Sequence, residues 1–315
     1  MNIKMKVLVI ILAAVCNLAV ASQYVWLTMD DYYFSTVGNE KYLCTTDDVC
    51  RWAPREGLYT EQWLSTNAYR GAHSLGIQLP AAASNPNVAG RSEAFVVEAD
   101  DEYALKLGEK KYFGFAIKLD KWAFDMPLNW CLFMQVFQNQ DPWTYSPPLS
   151  LHFKIAQDNP LKYQVETIGT ADMVSTARTV RYTGDINRDQ WYKFVLALKP
   201  GYNSDGTIEL WVDDVKVYDA AVDWGYAPGT YGDVEVYDSF NFRVGLYRRE
   251  QPRAFTVYYD EVKYGDSYAE ADPGISNACG DLGYFGADIN KDCYADMKDL
   301  SLLAQQWLES TNPVE

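Results

Sequence analysis

The sequence predicts an all-β sandwich or jelly roll of roughly 240 residues between Tyr24 and Gly265, and three observations predict it. Short runs with period two recur along this stretch, turn signals such as Asn203-Ser-Asp-Gly206 separate them, and helical periodicity is almost absent. The aromatic content of 15%, with 24 Tyr and 10 Trp, suits pleated sheets and sugar-stacking grooves. Fibrous and disordered classes are excluded by a 48% hydrophobic composition. The net charge of -16 repels phosphate backbones and anionic membranes, so neither nucleic acid nor a membrane is expected as a partner of the exported chain.

Taken in chain order, the first element is a secretory signal. Met1-Asn-Ile-Lys-Met-Lys6 precedes an apolar run from Val7 to Val15, and Ala19-Val-Ala21 offers a cleavage site before Ser22. The apolar run falls far short of the roughly 20 residues that a membrane span needs. The protein is therefore expected to be secreted, periplasmic or at the cell surface. In such an oxidising compartment the natural cysteine pairs are local: Cys44 with Cys50 around an acidic loop, and Cys279 with Cys293 near the C-terminus. Cys131, inside the apolar run Trp130-Cys-Leu-Phe133, reads as a buried free thiol.

The clearest strands are Tyr112 to Leu119, Leu132 to Phe137, Leu149 to Ile155, Trp191 to Leu198, Thr207 to Val217, Phe240 to Tyr247 and Phe255 to Tyr264. A sandwich that binds a polymer does so on outward-facing positions, every second residue of a strand. In the Phe240 run, Asn241, Arg243, Gly245 and Tyr247 oppose Phe240, Phe242, Val244 and Leu246. Ser150, His152 and Lys154 likewise oppose Leu149, Leu151, Phe153 and Ile155, and Arg91 shares a face with Glu93. Strict alternation places Gln135 on a face with Cys131, Phe133 and Phe137, where an unpartnered amide is costly. His73, in Tyr69-Arg-Gly-Ala-His73, is the only other histidine. Arg243, Arg248, Arg249 and Arg253 fall within eleven residues and predict a positive stripe across the concave sheet despite the acidic whole.

Arg91-Ser-Glu93, the Gln of Leu132-Phe-Met-Gln-Val136, Pro148-Leu-Ser-Leu151, Gly206-Thr-Ile-Glu-Leu-Trp-Val-Asp213, Phe242-Arg-Val-Gly-Leu-Tyr-Arg248 and Tyr258-Tyr-Asp-Glu-Val262 stand in the order found in jelly-roll polysaccharide lyases. The chain resembles the glucuronan lyases and heparin-lyase-like proteins over most of residues 55 to 266. The resemblance implies a concanavalin-like β-jelly roll and β-elimination of a uronic-acid-containing polysaccharide, with no cofactor in catalysis. It assigns Arg91 and Gln135 to neutralising the substrate carboxylate and Tyr247 to moving protons. Arg243, Lys154, Glu93 and Arg249 become candidate substrate-binding residues. Where many relatives carry His, two positions after the Gln, this chain has Phe137. His73 or His152 then supplies an imidazole, or Tyr247 acts alone as base and acid. The chemistry needs such residues because the proton next to a carboxylate is barely acidic until that charge is neutralised, and fixed donors stabilise the enolate-like intermediate.

Gly265-Asp-Ser-Tyr-Ala-Glu-Ala-Asp-Pro-Gly274 lacks alternation, so a jelly-roll domain over 22–266 is followed by a linker over 267–278 and a small module over 279–315. In that module Asp288, Asn290, Asp292, Asp296 and Asp299 hold positions 1, 3, 5, 9 and 12 of a loop, with the Tyr294 carbonyl at position 7, a spacing that wraps Ca2+. Leu300, Leu302, Leu303, Trp307 and Leu308 follow at helical spacing. The module resembles one calcium-binding half of a dockerin, with Cys293 where a Gly is usual, and implies structural calcium and a protein partner. Two other functions remain open. A non-catalytic carbohydrate-binding sandwich would stack sugars on Trp143 and Tyr145. A glycoside hydrolase needs paired carboxylates, and no Glu-x-Asp-x-x-Glu strand supplies them.

Overall fold

A computed structural model describes residues 25–27, 32–37, 40–45, 50–52, 61–79, 89–97, 99, 104–121, 131–142, 144–155, 161–170, 177–249, 254–274, 300–301 and 303–304. The chain divides into two compact units, Gln23–Pro273 and a second made of Met1–Ser22 with Gly274–Glu315.

The larger unit holds two eight-stranded sheets. The first runs β17 (Val215–Ala221), β16 (Thr207–Val212), β15 (Trp191–Lys199), β9 (Lys111–Leu119), β21 (Phe255–Gly265), β6 (Ser74–Leu79), β5 (Glu61–Ser65), with β1 (Val25–Leu27) also paired to β21. The second runs β14 (Thr179–Asp185), β12 (Leu161–Thr167), β11 (Leu149–Ile155), β10 (Cys131–Asp141), β20 (Val234–Arg249), β19 (Gly229–Tyr231). Two further strands, β7 (Ala89–Val97) and β8 (Leu105–Lys106), pair with β20 as well. A two-stranded pair, β13 (Gly169–Thr170) with β18 (Gly225–Tyr226), and a meander of β2 (Tyr32–Val37), β3 (Glu40–Thr45) and β4 (Cys50–Trp52) complete the strands. All pairings in the two large sheets are antiparallel, as expected of a jelly-roll sandwich. The β3–β4 register sets Cys44 opposite Cys50.

Alternation builds the core. Phe113, Phe115 and Ile117 of the first sheet meet Phe133, Val136, Phe242 and Val244 of the second, all essentially inaccessible. Rings lock the layers: Phe113 stacks on Phe242 at 4.8 Å, and Phe115 meets Phe133 edge-on at 6.4 Å. Removing one such ring would cost about 3–5 kcal/mol.

Three expectations are corrected here. Thr207 to Val217 is two strands, β16 and β17, because Asp213 and Asp214 adopt φ of 49° and 68° and close a two-residue hairpin that composition alone does not announce. Gln135 lies opposite Cys131 and Phe133, because β10 carries an irregularity between Leu132 and Met134 that resets the alternation and turns Met134 and Val136 into the core. Arg248 shares parity with Val244 and Leu246, so it points inward, 3% exposed, toward the Leu79 carbonyl at 3.4 Å, and it takes no part in the expected arginine stripe. The side chains of Arg249 and Arg253 lie outside the described residues.

The segment read as a linker is partly structured: α1 (Tyr268–Ala271) starts on a capping box made by Ser267 and Glu270. Its end packs on β9 where Gly114 leaves room, a Cβ there falling 1.8 Å from the Ala271 carbonyl oxygen. Asp272 is buried and pairs with Lys193 at 2.8 Å, so packed structure continues to Pro273. In the second unit the described residues Leu300, Ser301, Leu303 and Ala304 are helical. The signal segment 1–21, Cys279, Cys293, Trp143 and the loop carrying Asp288, Asn290, Asp292, Tyr294, Asp296 and Asp299 lie outside the described residues.

Candidate active site

The second sheet turns two rows of chemically useful side chains away from the core. Across one row, register aligns Arg91 on β7, Tyr247 on β20, Leu132 on β10 and His152 on β11. The other row aligns Arg243 on β20, Gln135 on β10, Ser150 on β11 and Glu166 on β12. Neighbouring strands stand about 4.8 Å apart, so residues far apart in sequence become immediate neighbours.

Gly245 lets the rows communicate. Its φ is 136°, and a Cβ there would lie 2.3 Å from the Ser92 carbonyl oxygen and 2.5 Å from the Glu93 Cα. The missing side chain lets the β7 backbone lie close against β20, and on this face Gln135 Nε2 donates to Glu93 Oε1. Arg91 Nε stands 2.8 Å from the other carboxylate oxygen. Burial pushes the Glu93 carboxyl above its ordinary range, while Arg91, Arg243 and the Gln135 amide pull it back. Gln135 Oε1 makes no hydrogen bond. The guanidinium of Arg91 lies over the Tyr247 ring, 4.2 Å from its centroid. Arg243 is 1% exposed; its Nε donates to Asn241 Oδ1 at 2.8 Å, and its guanidinium lies 5.0 Å from the Phe137 ring centroid.

A second cluster adjoins the first on β11 and β12. His152 Nε2 is 2.8 Å from Ser150 Oγ and 3.3 Å from Glu166 Oε2, and Lys154 Nζ is 3.4 Å from Glu166 Oε1. Burial, then the charges of Arg178 and Lys154, hold the His152 imidazole well below its ordinary range, so it is neutral. The Nδ1 atom is buried and makes no hydrogen bond.

The structure thus brings Arg91, Glu93, Gln135, Arg243, Tyr247, His152 and Lys154 onto one face. It does not bring His73, which ends the β5–β6 connection of the other sheet. Arg249 closes β20 opposite Ala89. Sequence reasoning missed Glu166 and Arg178. Glu166 was detectable, since Lys162, Gln164 and Glu166 alternate with Leu161, Tyr163 and Val165. Arg178 sits just before β14, outside any alternating run, and carries no such signal. Among the described residues, no group of three or more His, Cys, Asp or Glu side chains is arranged to hold a metal ion.

Comparison with known proteins adds the following. The polysaccharide lyase family matches residues 36–263. An endo-β-1,4-glucuronan lyase from the fungus Trichoderma reesei superposes with a TM-score of 0.55 at 18% sequence identity, covering 81% of this chain and 99% of that one. An alginate lyase from Pseudomonas aeruginosa gives a TM-score of 0.45 at 12% identity, covering 77% of this chain and 98% of that one. No curated protein sequence matches the chain.

Proposed function

The chain belongs to the polysaccharide lyase family, and from that premise we propose that it cleaves a uronic-acid-containing polysaccharide by β-elimination on the outer face of the second sheet. One observation carries the reading: Arg91 and Gln135, from two strands, both engage the buried Glu93 carboxyl, and Arg91 lies over the ring of Tyr247 from a third.

In this reading Gln135 and Arg91 hold the uronate carboxylate, and Glu93, being buried, orients both without meeting the sugar. Tyr247 as phenolate takes the proton from the carbon next to the carboxylate. The electron pair forms a double bond to the neighbouring carbon, whose bond to the glycosidic oxygen breaks. That oxygen leaves with the proton now on Tyr247, which returns to phenolate. Arg91, stacked on the ring, holds the phenol beside the groups assigned to the carboxylate. Of the imidazoles, His73 belongs to the β5–β6 connection of the other sheet and His152 is already engaged by Ser150 and Glu166, so the cycle is assigned to Tyr247 alone.

Glucuronan is the first polymer to test, because the fold relative with a TM-score of 0.55 is described as a glucuronan lyase. Wild type should release products carrying a new carbon–carbon double bond, read as rising ultraviolet absorbance. Silence across glucuronan, alginate and heparin-like polymers would overturn the reading. Export after Ala21, a Cys44–Cys50 bridge and structural calcium held by residues 288–299 complete the proposal. The register of β3 with β4 supports the bridge, and mass spectrometry of the exported protein tests both cleavage and bridging.

A further inference from the structure

The proposed reaction places negative charge on a substrate carboxylate that is itself an anion, so it calls for a cation that is accessible and not already neutralised. Two of the cations on this face already share their charge with a carboxylate: Arg91, which the elimination reading puts on the uronate, faces Glu93 at 2.8 Å, and Lys154 faces Glu166 at 3.4 Å. Arg178 differs. The residue is exposed while its guanidinium end is partly desolvated, it enters no ion pair among the described residues, and its Nη1 donates to the neutral hydroxyl of Ser150 at 3.0 Å. A hydroxyl anchor fixes a guanidinium without cancelling its charge.

Position supports the same conclusion. Ser150 stands directly opposite Gln135 across β10 and β11, so the anchored guanidinium is held one strand from the amide. On β10 the position two residues after Gln135 is filled by Phe137, which offers no donor.

We propose that Arg178 is a further catalytic residue, binding the uronate carboxylate together with Gln135 and stabilising the charge that builds on it as Tyr247 removes the neighbouring proton. This rests on the elimination reading above, and the experiment separates the two. Binding of a saturated β-1,4-linked glucuronic acid tetramer, and of cellotetraose as its neutral counterpart, is measured by calorimetry on Tyr247→Phe and on Tyr247→Phe/Arg178→Gln. The second substitution should weaken tetramer binding at least about tenfold while leaving cellotetraose unchanged, and Arg178→Lys in the same background should recover part of the loss.

In turnover on the tetramer, Arg178→Gln should lower kcat by about 10²-fold, whereas Ser150→Ala, which removes the anchor and keeps the charge, should cost less than about tenfold. Equal tetramer binding by the two Tyr247→Phe proteins overturns the proposal, and so does a Ser150→Ala loss as large as that of Arg178→Gln. Wild type that binds the tetramer in preference to cellotetraose and yields no unsaturated product overturns the elimination reading instead, with the binding comparison still deciding Arg178.

Discussion

Glu93 and Asp260 are both buried carboxyl groups, one on each large sheet, and their partners differ in kind. Asp260 accepts only from backbone in the contacts described above the core of the first sheet: Oδ2 takes the N–H of Tyr69 at 2.8 Å and of Arg70 at 3.0 Å, and Oδ1 takes that of Glu261 at 2.8 Å. Burial still pushes it up to about 7. Glu93 is held instead by the side chains of Gln135 and Arg91. Backbone donors cannot move without moving the chain, so Asp260 ties the β5–β6 connection to β21. Side-chain donors keep rotational choice, so Glu93 fixes the placement of two side chains rather than the path of the chain.

Substitutions should therefore separate activity from stability. The largest effect is expected for Tyr247→Phe, which should lower kcat by about 10³-fold or more with its unfolding midpoint unchanged; a few-fold loss would show that another group moves the protons. Asp260→Ala should do the reverse, costing about 3 kcal/mol in urea unfolding by stranding three N–H donors, with kcat per folded molecule preserved. Glu93→Ala should lower kcat by roughly tenfold to a hundredfold through misplacement of Gln135 and Arg91, and Glu93→Gln, which keeps the shape, should lose less. If Glu93→Ala instead matched Asp260→Ala in stability loss and kept its kcat, the contrast between the two carboxyls would collapse.

The smallest effect concerns pH. The folded His152 is held below its ordinary value of 6.5, so as pH falls through that value the unfolded chain takes up a proton that the folded chain refuses. This contribution to stability is present above about 6.5 and lost below it, and His152→Gln should flatten that part of a pH–stability curve.

Much of this molecule was legible as sequence because most strands obey period two, and the faces of β11 and β20 follow from it directly. The failures share one physical origin, local departures from that period. The irregularity in β10 reverses the face of Gln135 relative to Cys131 and Phe133. The Asp213–Asp214 hairpin divides one predicted strand into two. Arg248 was grouped with Arg243 by proximity in sequence, although parity alone sends it inward. Glu166 obeyed the period and was overlooked, while Arg178 reaches Ser150 from outside the strands, where no periodic signal exists. The motif residues Arg91, Gln135 and Tyr247 share one face of the second sheet, whereas charge clustering, which ignores strand parity, placed Arg248 there too.

The empty space at Gly245 carries an evolutionary consequence. Enzymes of this architecture can diversify by exchanging surface loops, but any residue with a side chain at 245 would wedge β7 away from β20 and carry Arg91 and Glu93 with it. In a saturation library this position should therefore behave as intolerant, although its role is only to let two strands approach.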